Sequence, residues 1–295
     1  MTGEPLVSPC FRSVGQVKTT IPFSPAAFSC YGQLMIYVGT SGFSYQDWVG
    51  PVYPAGTRSS DFLGLYSQRF NALEINYTYY RVPTQKTMLS LAEKSRGVIR
   101  MAVKLTDIFT HKRSSTEDDS KRFEEAMAPL QEAGLLGCLL AQFPFSFKPD
   151  RTNSRYLAKL RERFASFPLV VEVRNQGWMV DRLFPFLQNR DIGFCNVDEP
   201  RLPGLLPPTG HVTSELGYVR FHGRNSDKWW NHDRPEERYD YRYSAAELEE
   251  WIPRLRHMQQ SCQDLFVFFN NHFTGKAVDN ASEMVELLKR KLVDP

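Results

Sequence analysis

Short apolar runs with no polar alternation recur along the chain, separated by stretches in which apolar residues return at helical spacing. Uninterrupted Val, Ile, Leu and Phe suit strands covered on both faces, the usual state of parallel sheets. The runs are MIYVGT (35–40), ALEINY (72–77), IRMAVKL (99–105), GCLLAQF (137–143), LVVEVR (169–174), IGFCNV (192–197), YVRFH (218–222) and DLFVFFN (264–270). Helical spacing predicts helices near 60–70, 84–95, 120–133, 152–165 and 180–190. Two more have capping-box starts, Ser244-Ala-Ala-Glu247 and Asn280-Ala-Ser-Glu283, in which side chain and backbone satisfy each other's orphan amides. Pro253 requires the helix over 244–261 to kink or to split. PRLPGLLPPTG (200–210) is too rich in proline and glycine for a helix, so the crossover after the sixth strand reads as loop.

Eight strands alternating with helices imply parallel pairing through right-handed crossovers. In one chain of 295 residues this fits a closed (β/α)8 TIM-like barrel better than an open doubly wound sheet. GTSGF after the first strand is not a phosphate loop, and no GxGxxG follows it. A single domain over 35–295 is the expected unit. Residues 1–34 show neither period nor a secretory pattern, and Met35 opens the first good strand. That segment reads as an appended or mis-started tail, disordered or loosely draped.

In such a barrel function gathers where the strands end, and the strand ends here are polar. They carry Thr40 and Ser41; Glu74 and Asn76; Lys104; Gln142; Glu172 and Arg174; Asp198 and Glu199; Arg220, His222 and Arg224; and Asn270 and Asn271. Charges inside apolar strands are costly unless paired or solvated, and one shared pocket would accommodate them.

IYVGTSGFSYQDWVGPVYP, LEINYTYYRVP, MAVKL, VEVRNQGW, YVRFHGR and FFNNHFTGKAVDNA, spread from Met35 to the C-terminus, resemble the YecE-like family, domain of unknown function 72. The resemblance implies a TIM-like barrel similar in fold to apurinic endonucleases and sugar isomerases. Those relatives bind two metals through His, Asp and Glu clusters, which this chain does not clearly reproduce. Cofactors are therefore unassigned, and a divalent metal has no clear ligand motif behind it.

Taken residue by residue, Glu172 and Asp198 are candidate general bases and His222 a candidate acid. Glu74, Glu172 and Asp198 could equally ligate a metal with His222, or be neutralised by Lys104, Arg174 and Arg220 in an ion-pair ring. Lys104 suits anion binding or, if buried, a Schiff base with a carbonyl. Arg174, Arg220 and Arg224 suit bidentate recognition of phosphate or carboxylate. Thr40, Ser41, Glu74, Asn76, Asn270 and Asn271 are candidate substrate contacts; strand alternation argues against both asparagines pointing inward. The seventh loop, GRNSDKWWNHDRPEERYDYRYS, mixes cations with Trp229, Trp230, Tyr239, Tyr241 and Tyr243, a combination that can stack bases or sugars or simply pack as a lid. His111, His211 and His257 read as surface or loop residues.

Composition narrows this little. The chain is 42% hydrophobic and 23% charged with net charge +3 and pI near 8.5, too mild to imply nucleic acid by itself. No apolar run is long enough for a bilayer, so no membrane partner is expected. The five cysteines lack ligand spacing, which points to a reducing cytoplasm. Two functions follow as expectations. One is an enzyme on a small phosphorylated or anionic substrate, of phosphoester hydrolase or lyase type. The other is a non-catalytic nucleic-acid or nucleotide binder.

Overall fold

A computed structural model of the protein describes residues 35–293; the expected tail over 1–34 lies outside the described residues. The strands are β1 (Met35–Ser41), β2 (Ala72–Ile75), β3 (Arg100–Lys104), β4 (Leu136–Gln142), β5 (Leu169–Glu172), β6 (Ile192–Asp198), β7 (Leu216–Phe221) and β8 (Asp264–Phe269). All pair in parallel, each with its neighbours in sequence, and β8 closes on β1 over Met35–Thr40. The closed (β/α)8 barrel is thus the observed fold.

Between the strands stand α1 (Phe62–Tyr66), α2 (Gln85–Lys94), α3 (Asp107–Thr110), α4 (Glu117–Glu132), α5 (Arg151–Arg163), α6 (Leu183–Gln188), α7 (Ser226–Trp229), α8 (Ala245–Glu249), α9 (Ile252–Gln259) and α10 (Lys276–Leu288). The helix expected over 244–261 is split: α8 starts on the Ser244–Glu247 capping box, and Pro253 sits in the first turn of α9, where its missing N–H costs nothing. The second expected capping box needs correction. Helix α10 begins at Lys276, after Gly275 in the left-handed region at φ 84°. Asn280 lies inside that helix, buried, exchanging hydrogen bonds with the Tyr243 backbone.

No described helix follows β6. Instead, the buried Asn196 amide staples the loop: Oδ1 accepts from Thr209 Oγ1 and the His211 N–H, and Nδ2 donates to the His211 and Tyr218 carbonyls. A helix-free crossover must have its backbone groups satisfied this way.

The lower lumen is aromatic. Phe266 stacks on Tyr37 at 4.9 Å and reaches across to β4, where a Cβ on Gly137 would fall 2.6 Å from the ring. That glycine leaves the room the ring fills. Upward from this layer the inward positions turn polar.

Candidate functional site

Hydrogen bonds between strands that are not neighbours identify the lumen side of each strand end. Arg220 of β7 is the hub, 2% exposed. Its Nη1 donates to Glu172 Oε2 of β5 at 2.6 Å, and its Nη2 to Glu74 Oε1 of β2 at 2.6 Å and Ser41 Oγ at 3.4 Å. Tyr218, two residues earlier on the same face, donates to Glu74 Oε2 at 2.8 Å. Strand pleat repeats every two residues, so 218, 220 and 222 all look inward.

Around Glu172, Arg174 Nε pairs with Oε1 and His222 Nε2 stands 3.3 Å from the same oxygen. Arg174 Nη1 lies 3.7 Å from Glu199 Oε2. Asn270 Nδ2 donates to His222 Nδ1 at 3.1 Å, which leaves the ring proton on Nε2, facing Glu172. Burial alone would raise the Glu172 carboxyl; Arg174, Arg220 and His222 outweigh it and hold it well below the usual range. Burial and the Arg174 charge push His222 down to about 3, against the pull of Glu172, so the imidazole is neutral. Glu199 moves the other way, to about 7, because burial outweighs Arg174 and the Leu206 N–H bonded to its Oε1.

Above this cluster opens a cavity of about 760 Å³. Its walls include Glu74, Asn76, Lys104, Gln142, Arg174, Arg220 and Asn270, roofed by Tyr45, Tyr79, Tyr80, Tyr239 and His272. Lys104 differs from the arginines: among the described residues no carboxylate lies within ion-pair distance, and its ammonium rests 4.5 Å above the Tyr79 ring. Burial and the Arg220 charge, moderated by Glu172 and Glu74, bring its pKa down to about 7.

The expected candidates thus part company. Glu74, Asn76, Lys104, Arg174, Arg220 and Asn270 line the cavity. Glu172, His222 and Ser41 sit beneath it as partners of the lining groups. Asp198 is a correction: it is fully buried on the outer side of the barrel, accepting from Arg224, Tyr243 Oη and Trp251 Nε1 at 2.7–2.9 Å. Arg224 is held there with it, also meeting Glu247 and Glu250. Both hold the seventh loop to α8. Asn271 turns away to Tyr241 O and Asn280, leaving Asn270 as the inward amide. Thr40 Oγ1 serves the Gly42 carbonyl and Tyr66 Oη. Trp229 is buried at 2% exposure, packing near His222 and Tyr239. Trp230 stays 54% exposed, edge-on to Phe145, beside rather than inside the cavity. His111 also moves, from surface to rim: it packs edge-on against Tyr79 at 4.9 Å.

Sequence reasoning placed Glu199 and Gln142 among the polar strand ends and Tyr239 in the stacking loop, but assigned none of the three a named catalytic or binding role. The strand register supplies what the sequence lacked for Glu199. Val197 pairs with Arg220 in register and so shares its inward face, and Glu199 follows by period two.

Comparison with known proteins agrees with this architecture. The model described as "Protein of unknown function DUF72" matches residues 37–295. The chain belongs to the DUF72 family. This DUF72 protein is 32% identical to the UPF0759 protein YunF of Bacillus subtilis (strain 168), over 86% of this chain and 95% of that one. A crystallised DUF72 family protein of Thermotoga maritima shares 39% identity over 86% of this chain and 99% of its own, with TM-score 0.80. Another, from Enterococcus faecalis, shares 27% over 86% and 96%, with TM-score 0.77.

A metal site finds no support in the donor set. Among the described residues no group of three or more His, Cys, Asp or Glu side chains is placed to hold a metal ion. Glu74 and Glu172 are committed to arginines, and His222 points its N–H at Glu172. These residues do not fit a divalent cation. No described helix is long and apolar enough to cross a membrane.

Proposed function

We propose that this DUF72 protein is an enzyme that takes a small anionic substrate, phosphorylated or carboxylated, into the cavity at the strand ends. The observation that carries the reading is Lys104, a cavity-lining amine that, among the described residues, has no carboxylate partner and stands beside two guanidinium groups. An anion entering here offsets the burial and the Arg220 charge that depress the amine, and meets Arg174 at the same wall. A cavity of 760 Å³ falls within the roughly 300–1,000 Å³ of small-molecule sites.

The chemistry shifts from the expected pair. Glu172 is a poor base, because two arginines stabilise its charge, and neutral His222 is a poor acid near pH 7. Lys104, its amine brought down to about 7 by burial and the Arg220 charge, is the lining group suited to proton transfer. That favours a lyase-type reaction with proton transfer at Lys104 over hydrolysis by a carboxylate base. Tm measured with glycerol 3-phosphate and with glycerol tests the reading. The phosphate ester is expected to raise Tm in the wild type but not in Lys104→Met; equal shifts with both compounds count against it.

A second reading, a nucleic-acid binder, draws on Tyr80 and Trp230, which are 82% and 54% exposed on the rim and free to stack planar rings. It requires affinity for single strands that falls steeply with salt.

A further inference from the structure

Lys104 differs from every other charged group at the barrel mouth in what surrounds its terminal atom. Arg220 and Arg174 are tied to carboxylates, and Arg234, which also lines the cavity, faces Glu236 and Glu237. The Lys104 amine has a ring face on one side and the open cavity on the other. Groups that can hydrogen-bond a substrate hydroxyl or carbonyl lie on the same walls: Asn76, whose buried Oδ1 can accept and has no hydrogen-bond partner, Tyr77, whose buried hydroxyl has none, and the Gln142 and Asn270 amides. An amine held for charge alone would sit best among acceptors. This one sits where a carbon electrophile can approach.

We infer that Lys104 forms an imine with its substrate, so that the anion this cavity takes also carries an aldehyde or ketone. The neutral amine's lone pair attacks the carbonyl carbon; a C–N bond forms as the C=O π pair moves to oxygen. A proton passes from nitrogen to that oxygen, giving a carbinolamine. A second proton from solvent lets water leave, and the nitrogen lone pair completes the C=N bond. In sum a carbonyl and an ammonium give an iminium and water, and neither oxidant nor reductant is consumed. The ordinary lysine ammonium is almost wholly protonated at neutral pH and cannot begin this step; burial and Arg220 bring Lys104 down to about 7, where the neutral amine is accessible. The iminium carries the same charge as the ammonium it replaces, so the Arg220–Glu74–Glu172 balance beneath it is undisturbed. Arg174, on the wall beyond, is the partner for the substrate's anionic group.

The inference rests on the anion reading, and the experiment separates the two. Glycolaldehyde phosphate and glycolaldehyde are each incubated with the protein and sodium cyanoborohydride, and adducts are mapped by peptide mass spectrometry. Tm shifts are recorded with the same compounds without reductant. Expected is a saturable adduct at Lys104, formed at least tenfold faster with the phosphorylated aldehyde than with the neutral one. It should also outpace modification of Lys276, whose amine is paired with Asp240, and rise in rate with pH through about 7. Lys104→Arg keeps the cation without an imine-forming amine and should still show the Tm shift but no adduct there. A Tm shift with no adduct at Lys104 overturns the imine and leaves the anion site standing. Adduct formation equal for both aldehydes supports a reactive amine but overturns the anion reading on which the substrate class depends. Neither shift nor adduct overturns both.

Discussion

Two arginine–carboxylate clusters stand at the same end of this barrel, one inside and one outside. Outside, Asp198 takes bonds from Arg224, Tyr243 and Trp251, and Arg224 meets Glu250 at 2.9 Å. Every Asp198 oxygen is used, and the result ties β6, the seventh loop and the α8–α9 corner together. Inside, Arg220 bridges Glu74 and Glu172 and Arg174 and His222 face Glu172, while Arg220 Nε and Glu199 Oε2 are buried without a hydrogen-bond partner. Native interiors seldom leave such atoms unmatched. The outer cluster closes on itself; the inner one lies beneath the cavity in which the proposed substrate would sit.

The largest effect that sharpens this contrast is expected at the inner hub. Arg220→Met leaves Glu74 and Glu172 facing each other across the lumen without their shared partner, and removing one member of a buried pair costs about 3–5 kcal/mol. Urea unfolding measures it; a loss too small to detect would mean that the hub does not hold the strand ends together. Next comes Asp198→Asn, which removes the charge behind four hydrogen bonds from three residues. A loss of about 1.5–3 kcal/mol follows from charge-assisted bonds, with anion binding unchanged. If anion binding fell in parallel, the outer cluster would belong to the site after all.

Lys104→Met inverts that pattern. Its ammonium stabilises nothing by pairing, so unfolding free energy near pH 7 should stay equal or rise while anion binding is lost. The remaining effects are in pH profiles. Lys104 has its folded pKa lowered from 10.5 to about 7. Above about 7 the unfolded state holds more protons at this group, so its destabilising contribution shrinks as pH rises from 7 toward 10.5. Glu199, raised from 4.5 to about 7, holds more protons folded, and its contribution to stability declines as pH rises between those values. Tm against pH should lose the upper trend in Lys104→Met and the lower one in Glu199→Gln.

How far this was legible in the sequence depends on what each feature rests on. All eight strands were, because strands buried on both faces must be written as apolar runs. The capping box at Ser244 was legible because its bonds are local. The one at Asn280 was not: its amide is claimed by Tyr243, 37 residues away in the chain, which no local pattern encodes. The site divides along the same line. That polar residues crowd the strand ends was visible; which of two neighbours faces inward was not, until one register was known. Asp198 and Glu199, or Asn271 and Asn270, differ only by the one-residue pleat. Trp229 and Trp230 depend on how a 23-residue loop, 222–244, folds back, and nothing in their spacing says which is covered.

The most direct test is sulfate affinity as a function of pH, measured by isothermal titration on wild type, Lys104→Met and Asp198→Asn. Sulfate keeps its charge across this range, so any pH dependence belongs to the protein. If the cavity is an anion site built on Lys104, affinity falls as pH rises through about 7 in wild type and Asp198→Asn, and is lost in Lys104→Met. Sulfate binding by Lys104→Met with wild-type affinity and the same pH profile would contradict it.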